Sequence, residues 1–191
     1  MTPTVLPMSQ PLAEFLPLPF LPRDIELNAQ ADGVLRMRSR IPLGPLAAHL
    51  PGVVRRHAAQ RPERPWLVQR DAAGQWQALR WGTAMQQIDA VTQWLRQQVP
   101  AGRHVMVLSG NSQAHAVFEM AAMQAGLPYV PVTPAYSLLS QDHQKLRDMV
   151  ALIEPAVVFV ESGRQFERAL RALDLRGVHV VQVQDLLDLP G

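Results

Sequence analysis

The sequence contains no cysteine, which excludes a disulfide framework, a thiolate zinc site and a cysteine nucleophile together. It has a single lysine, Lys145, and its arginines run from Arg23 to Arg176 with local pairs such as Arg55-Arg56 but no block of like charge. With a formal net charge of only +2, that dispersion argues against a nucleic-acid partner. No apolar run approaches the roughly 20 residues needed to span a bilayer, so no membrane association is expected. Residues 1–20 are partly apolar, yet Pro3, Pro7, Pro11, Pro17 and Pro19 interrupt them and no basic residue precedes them. They fail as a signal peptide, and a cytoplasmic location is the default expectation. HExxH, GxSxG, GxGxxG and GxxxxGK[ST] are also missing, and His49, His57, His104, His115, His143 and His179 show no metal-ligand spacing. Metalloprotease, nucleophile-elbow hydrolase and phosphate-loop readings therefore have no support.

What is present is enough for one domain with a sizeable core: 191 residues, of which 48% are hydrophobic. Eleven of the 17 prolines lie at or before Pro65, which marks residues 1–50 as a Pro-rich entry arm whose extended stretches suit a surface path. Within the arm, 24–27 and 33–37 read as two short strands around a turn at Ala31-Asp32-Gly33. A short helix is predicted over 50–59, ended by Arg61-Pro62. Residues 66–70 and 75–80 form a hairpin about Asp71-Ala72-Ala73-Gly74. Thr83 then offers an N-cap, with Gln86 completing a capping box, and Met85, Ile88, Val91 and Leu95 follow at helical spacing.

From there strands and helices alternate: 104–108, 129–132, 156–160 and 178–183 as strands, and 113–125, 141–153 and 164–173 as helices. Gly126 is placed as a C-terminal cap and Pro155 as a stop. The alternation predicts an α/β fold with right-handed crossovers and a parallel sheet. Uninterrupted apolar runs such as Val105-Met106-Val107-Leu108 and Val157-Val158-Phe159-Val160 fit strands buried on both faces. Residues 51–191 thus read as one α/β body that stops soon after its last strand, and a sheet left open there is expected to be truncated.

Ligands of such sheets bind beyond the carboxyl ends of the strands, which directs attention to three loops. Ser109-Gly110-Asn111-Ser112 could present N–H groups to an anion at the start of the following helix; a turn and cap by Asn111 and Ser112 is the plainer expectation. Thr133-Pro134-Ala135-Tyr136 is the second loop. Glu161-Ser162-Gly163-Arg164 is the third, pairing a glycine with a guanidinium suited to phosphate, although a solvated arginine is the plainer reading. Asp142, Asp148 and Glu154 are expected in salt links with Lys145 or Arg147. Trp66, Trp76, Trp81 and Trp94 read as packing anchors.

Met123-Gln124-Ala125-Gly126-Leu127-Pro128-Tyr129-Val130-Pro131-Val132-Thr133-Pro134-Ala135-Tyr136 resembles the K-A-G-x-x-Y-V-P-x-x-P stretch of the adenylate-forming superfamily, with Gln124 departing at its first position. Leu79-Arg80-Trp81-Gly82-Thr83-Ala84-Met85 is similar to that superfamily's L-T-Y-x-E-L entry to a helix, and residues 105–112 to its V-A-I-L-x-x-N-S. Leu108-Ser109-Gly110-Asn111-Ser112, Ala135-Tyr136-Ser137-Leu138-Leu139-Ser140-Gln141-Asp142 and Pro42-Leu43-Gly44-Pro45 resemble the feruloyl-CoA synthases.

The resemblance covers the chain from about Pro22 onward and implies the parallel-sheet subdomain of a large amino-terminal adenylation domain, with 51–191 as a partial AMP-binding domain. It implies an AMP-forming acid-CoA ligase that joins a hydroxycinnamate-like, aryl or acyl carboxylic acid to CoA through an acyl-adenylate, using ATP and Mg. The family's phosphate loop ending in Pro-Lys-Gly is not in this sequence, and Lys145 lies in no such context. No catalytic or metal-binding residue is therefore carried over, no tightly bound cofactor is expected, and the chain alone is expected to be inactive. Arg164 alone carries over, as a contact to the CoA nucleotide. Self-association as a homo-oligomer is a further expectation, and a free-standing non-catalytic nucleotide-binding or interaction module is the alternative.

Overall fold

The computed structural model describes residues 24–187, so the readings placed on residues 1–23 and 188–191 lie outside the described residues. The described chain forms two compact units that divide between Leu46 and Ala47. In the first, β1 (Ile25–Ala29) pairs antiparallel with β2 (Leu35–Ser39). The turn closes on Gly33, whose φ of 85° few other residues tolerate. The register sets Ile25, Leu27, Leu35 and Met37 on one face and Glu26, Asn28, Arg36 and Arg38 on the other, where Arg38 and Glu26 form an ion pair at 2.7 Å.

The second unit begins with α1 (Leu50–Gln60), capped by the His49 ring, whose Nδ1 accepts from the Gly52 amide at 2.9 Å. A hairpin of β3 (Pro65–Arg70) and β4 (Trp76–Arg80) follows, its turn built by Asp71, which accepts from the Ala73 and Gln75 amides. Next comes α2 (Trp81–Gln98), which starts two residues before the predicted cap. Thr83 therefore lies inside the helix and no capping box with Gln86 forms. The reason is tertiary: the Arg64 and Pro62 carbonyls accept from the Trp81 and Gly82 amides at 3.0 and 2.9 Å, satisfying donors that a side-chain cap would otherwise serve. Met85, Ile88, Val91 and Leu95 are all buried, as their spacing predicts.

The remaining order is β5 (His104–Leu108), α3 (Gln113–Ala125), β6 (Tyr129–Val132), α4 (Pro134–Leu138), α5 (Gln144–Ile153), β7 (Pro155–Val160), α6 (Glu167–Arg171), β8 (His179–Gln182) and α7 (Val183–Leu187). The Ser112 hydroxyl caps α3, and Gly126 ends it in the left-handed region at φ 75°. Three expectations shift. The loop at 133–136 is mostly α4, entered through Pro134 in its first turn, where a missing N–H costs nothing. Helix α5 starts at Gln144 rather than 141 because the Ser140 hydroxyl and Asp142 carboxylate reach forward to accept from the His143 and Gln144 amides. Residues 163–166 are turns, so the helix expected over 164–173 shortens to α6.

Strands β6, β5, β7 and β8 lie in that order, all parallel. The step from β5 to β6 runs one way along the sheet and those from β6 to β7 and β8 the other, so right-handed crossovers place their helices on opposite faces. The cores record this. Val105, Val107, Val157 and Phe159 join α1, α2, α3 and the β3–β4 hairpin, whereas Met106, Leu108, Val158 and Val160 join Leu146 of α5 and Phe166 and Ala169 around α6. Phe118 and Phe159, both fully buried, stack with ring centroids 4.8 Å apart. Trp66 and Trp81 stack likewise and pack against the first core, and Trp94 lies edge-on to His179. Trp76 departs from the anchor reading: it is 64% exposed and covered only by the Arg70 guanidinium.

Gln124, the departure within the sequence motif, ties three helices together. Its amide nitrogen donates to Asp89 at 2.7 Å and Thr92 at 3.2 Å, and its oxygen accepts from Arg55, which also grips Asp89 with both guanidinium nitrogens. Arg55 thus brings a cation to Asp89 from α1.

Truncating Phe159 to Ala should remove the ring stack and leave a cavity in the larger core, costing about 3–5 kcal/mol in urea unfolding. Thr83→Ala should cost under about 0.5 kcal/mol, well short of the ~1 kcal/mol that losing a true N-cap takes. A larger loss in the second variant would restore the capping role to Thr83.

Candidate functional site

The sheet changes direction between β5 and β7, and the loops after these two strands meet above it. One Glu161 oxygen accepts from both the Ser109 hydroxyl at 3.1 Å and the Gly110 amide at 3.2 Å. The carboxylate thereby sits where a bound anion would use the end of β5. Two further donors there are engaged: the Gln113 amide gives to Gln69 at 2.9 Å, and the His115 amide to Ser112 at 3.1 Å. Ser112 is accordingly a cap. A nucleotide phosphate is disfavoured at this helix start, because the Glu161 carboxylate already holds the Gly110 amide and would repel it. Nor do the described residues hold a group of three His, Asp or Glu that could grip a metal ion.

Gly110 is fixed on its other side too. Its carbonyl accepts from His115, whose Nδ1 stands 2.7 Å away and must carry the proton, since a carbonyl only accepts. That tautomer leaves Nε2 to accept from the Tyr129 hydroxyl. Glu161, Gly110, His115 and Tyr129 thus form one hydrogen-bonded chain from the end of β7 through α3 to β6. Burial pushes the Tyr129 phenol above its ordinary value of 10.0, with the Glu119 carboxylate adding to the shift, because both disfavour a phenolate.

The third loop is held from β8. The Gln182 side chain accepts from the Gly163 amide at 2.9 Å, and a Cβ at 163 would come within 2.6 Å of that oxygen, so a larger residue there would push the Gln182 side chain aside. Arg164 follows on the exposed turn before α6, with no hydrogen bond or ion pair among the described residues. The structure brings Ser109 and Gly110 to Glu161 in one crevice, turns Ser162 to the Gln165 amide, and leaves Arg164 exposed on the turn that follows.

Beside the crevice a groove of about 300 Å³ runs under the β3–β4 hairpin, lined by Gln69, Gln77, Gln87, Gln113 and Glu161. A second of about 360 Å³ continues along α3 past Asn111, His115 and Glu119. Such amide-rich walls suit neutral polar groups. Sequence reading passed over the linking roles of Glu161, His115, Tyr129 and Gln69; the one signal was a carboxylate directly after a buried strand. The expected salt links of Asp142, Asp148 and Glu154 do not form among the described residues. Asp142 accepts from the Gln144 amide and the Ser140 hydroxyl, which hold its carboxyl below the ordinary range, and Asp148 accepts from the Gln144 side chain. Lys145 instead stands 5.3 Å above the Tyr136 ring. No helix of the described residues is long and apolar enough to cross a membrane.

Residues 54–190 match the model of a family described as AMP-binding enzyme. Similar solved structures include the fatty acyl-adenylate ligase from L. pneumophila in complex with acyl adenylate and pyrophosphate, at 15% identity and a TM-score of 0.58, covering 71% of this chain and 23% of that one. The N-terminal subdomain of Klebsiella oxytoca NpsA aligns at 15% identity and 0.55, covering 74% and 33%. McyG A-PCP complexed with phenylalanyl-adenylate aligns at 17% and 0.61, covering 78% and 27%. At these identities the likeness establishes the fold, that of the N-terminal domain of adenylate-forming enzymes, and the chain spans no more than a third of these structures' length. No curated protein matches the chain.

The raised Tyr129 pKa predicts alkaline sensitivity of definite sign. The folded state holds the phenolic proton more tightly than the unfolded state, so the stabilisation is complete below pH 10 and declines as the pH rises above it. Urea midpoints measured between pH 9 and about pH 11.5 should fall for the native chain. Tyr129→Phe should fall less steeply, and an identical slope in the two proteins would remove Tyr129 as the cause.

Proposed function

The chain belongs to the AMP-binding enzyme family, a family of adenylate-forming ligases, and on that footing we propose that it forms the amino-terminal α/β layer of an acid-CoA ligase. The proposed reaction activates a hydroxycinnamate-like, feruloyl-type acid with ATP as an acyl-adenylate, from which the CoA thiol displaces AMP. The observation that carries this reading is the motif of residues 123–136, which builds the α3–β6 step of the parallel sheet, together with the feruloyl-type stretches at 108–112 and 135–142.

The division of labour follows from the crevice. ATP and Mg supply the leaving group and charge neutralisation of the first half-reaction. Their binding residues are proposed to lie outside these 191 residues, since Glu161 already takes the Ser109 and Gly110 donors after β5. The part of this chain is to hold the floor of the site rigid: Glu161 locks the β5 and β7 loops, and Gln182 locks Gly163. Residues 1–50 are proposed as the entry arm and 51–191 as the partial adenylation domain. Arg164, exposed on the turn before α6, is proposed to meet a phosphate of the CoA nucleotide, for which a guanidinium is suited.

An intact ligase containing this chain should release AMP from ATP in the presence of ferulate and CoA. The 191-residue chain alone should release none and should bind ATP no more tightly than about 1 mM by calorimetry. Failure of the intact protein with ferulate, other aryl acids and fatty acids alike would sink the ligase reading. Tight ATP binding by the isolated chain would favour a nucleotide-binding module instead. Arg164→Ala in the intact ligase should raise KM for CoA about fivefold, as expected for losing one exposed charged contact worth ~1 kcal/mol, and leave KM for ATP unchanged.

A further inference from the structure

A groove of about 440 Å³ lies at the opposite end of the sheet from the crevice, between α5 and the connection from α6 to β8. Its floor is apolar, made by Val150, Leu173 and Val178, side chains that also pack against the second core. Arg103, Arg147 and Arg176 stand around it. Arg176 is paired with Asp174, whose carboxyl it holds down to about 2 through a side-chain hydrogen bond. The other two differ in kind. Arg103 gives Nε and Nη2 to the Glu154 carbonyl at 3.2 and 2.8 Å, and Arg147 gives Nη1 to the Asp142 carbonyl and Nη2 to the Gln144 side chain, both at 2.7 Å.

Every recorded partner of these two guanidiniums is therefore a neutral oxygen. These bonds orient both guanidiniums without placing a carboxylate in contact with either, although the charge of Arg147 reaches the Asp142 carboxyl and helps to lower its pKa. One nitrogen of each makes no recorded bond: Nη1 of Arg103 and Nε of Arg147. Of the two carboxylates on the groove, Asp174 is matched by Arg176, so Arg103 and Arg147 outnumber the remaining Glu154. Held guanidiniums beside a partly buried apolar surface favour a ligand with an anionic head and an apolar body, because the body, once seated, shields the charged contact from water. The volume falls in the range of small-molecule pockets, roughly 300–1,000 Å³.

We propose that the groove between α5 and β8 binds a small amphipathic organic anion of the aryl or alkyl carboxylate class, with its head between Arg103 and Arg147 and its body on Val150, Leu173 and Val178. This site is independent of the ligase reading. It stands at the amino ends of β7 and β8, whereas the crevice stands at their carboxyl ends, and it uses none of the crevice residues.

The test uses the 191-residue chain and 1-naphthoate as the probe, with 1-naphthalenemethanol as its uncharged counterpart and inorganic phosphate as a head without a body. Calorimetry should give one naphthoate site with a dissociation constant below about 1 mM, and at least about tenfold weaker binding of the alcohol and of phosphate. Arg147→Gln should weaken naphthoate at least about fivefold, as loss of a charged contact demands. Arg103→Gln should act in the same direction, but it also removes a bond to the end of α5, so its fold is checked by circular dichroism. Amide and methyl shifts of the native chain provide a reading that needs no variant: naphthoate should move Val150, Leu173 and Val178 and leave Gly110 and His115 in place. Absence of binding, equal binding of the alcohol, an undiminished Arg147→Gln, or shifts confined to other residues would each overturn the proposal.

Discussion

The structure depends on the burial of β5 and β7 on both faces. Neither strand presents a face to water, so each must hand alternate side chains to two separate cores, and every neighbouring element has to cover one or the other. Fully burying an aliphatic or aromatic side chain contributes about 1.5–3 kcal/mol, and the nine residues from Val105 to Leu108 and from Ala156 to Val160 are all buried. From that constraint follow helices on both faces, a reversal of strand order beside β5, and loops that converge above the strands where the reversal happens.

At the convergence the chain satisfies itself. A parallel sheet that reverses direction commonly leaves amides open to an anion. Here Glu161 reaches across from β7 to occupy them, and the His115 and Tyr129 side chains secure the Gly110 carbonyl from the other side. Gln124 expresses the same logic between the helices, its neutral amide serving Asp89, Thr92 and Arg55 together.

Periodicity made much of this legible. Two-sided apolar runs gave β5 and β7 to the residue or nearly so, because a strand buried on both faces cannot alternate, and Ser112 and Gly126 bounded α3 through local chemistry alone. The misreadings differ in cause. Thr83 has the residue type of a cap, but carbonyls of the segment before β3 take the amides at the helix end, a partner chosen by the tertiary surroundings. The loop after β6 contains a short helix, and the start of α5 is moved by side chains of Ser140 and Asp142 that bond forward to the next amides, a purely local competition.

By itself the sequence determined the order of the strands, the parallel class of the sheet, the family likeness of residues 123–136 and the lack of any phosphate-loop lysine, since all of these reside in local pattern and residue type. Tertiary structure alone decided which polar groups remain free. Glu161 lies 51 residues from Gly110, Gln69 lies 44 from Gln113, and Arg103 lies 51 from Glu154. Hydrogen bonds act over about 3 Å of space whatever the separation along the chain, so only the folded sheet could show that Glu161 takes the Gly110 amide after β5 and that neutral oxygens hold two guanidiniums at the far end.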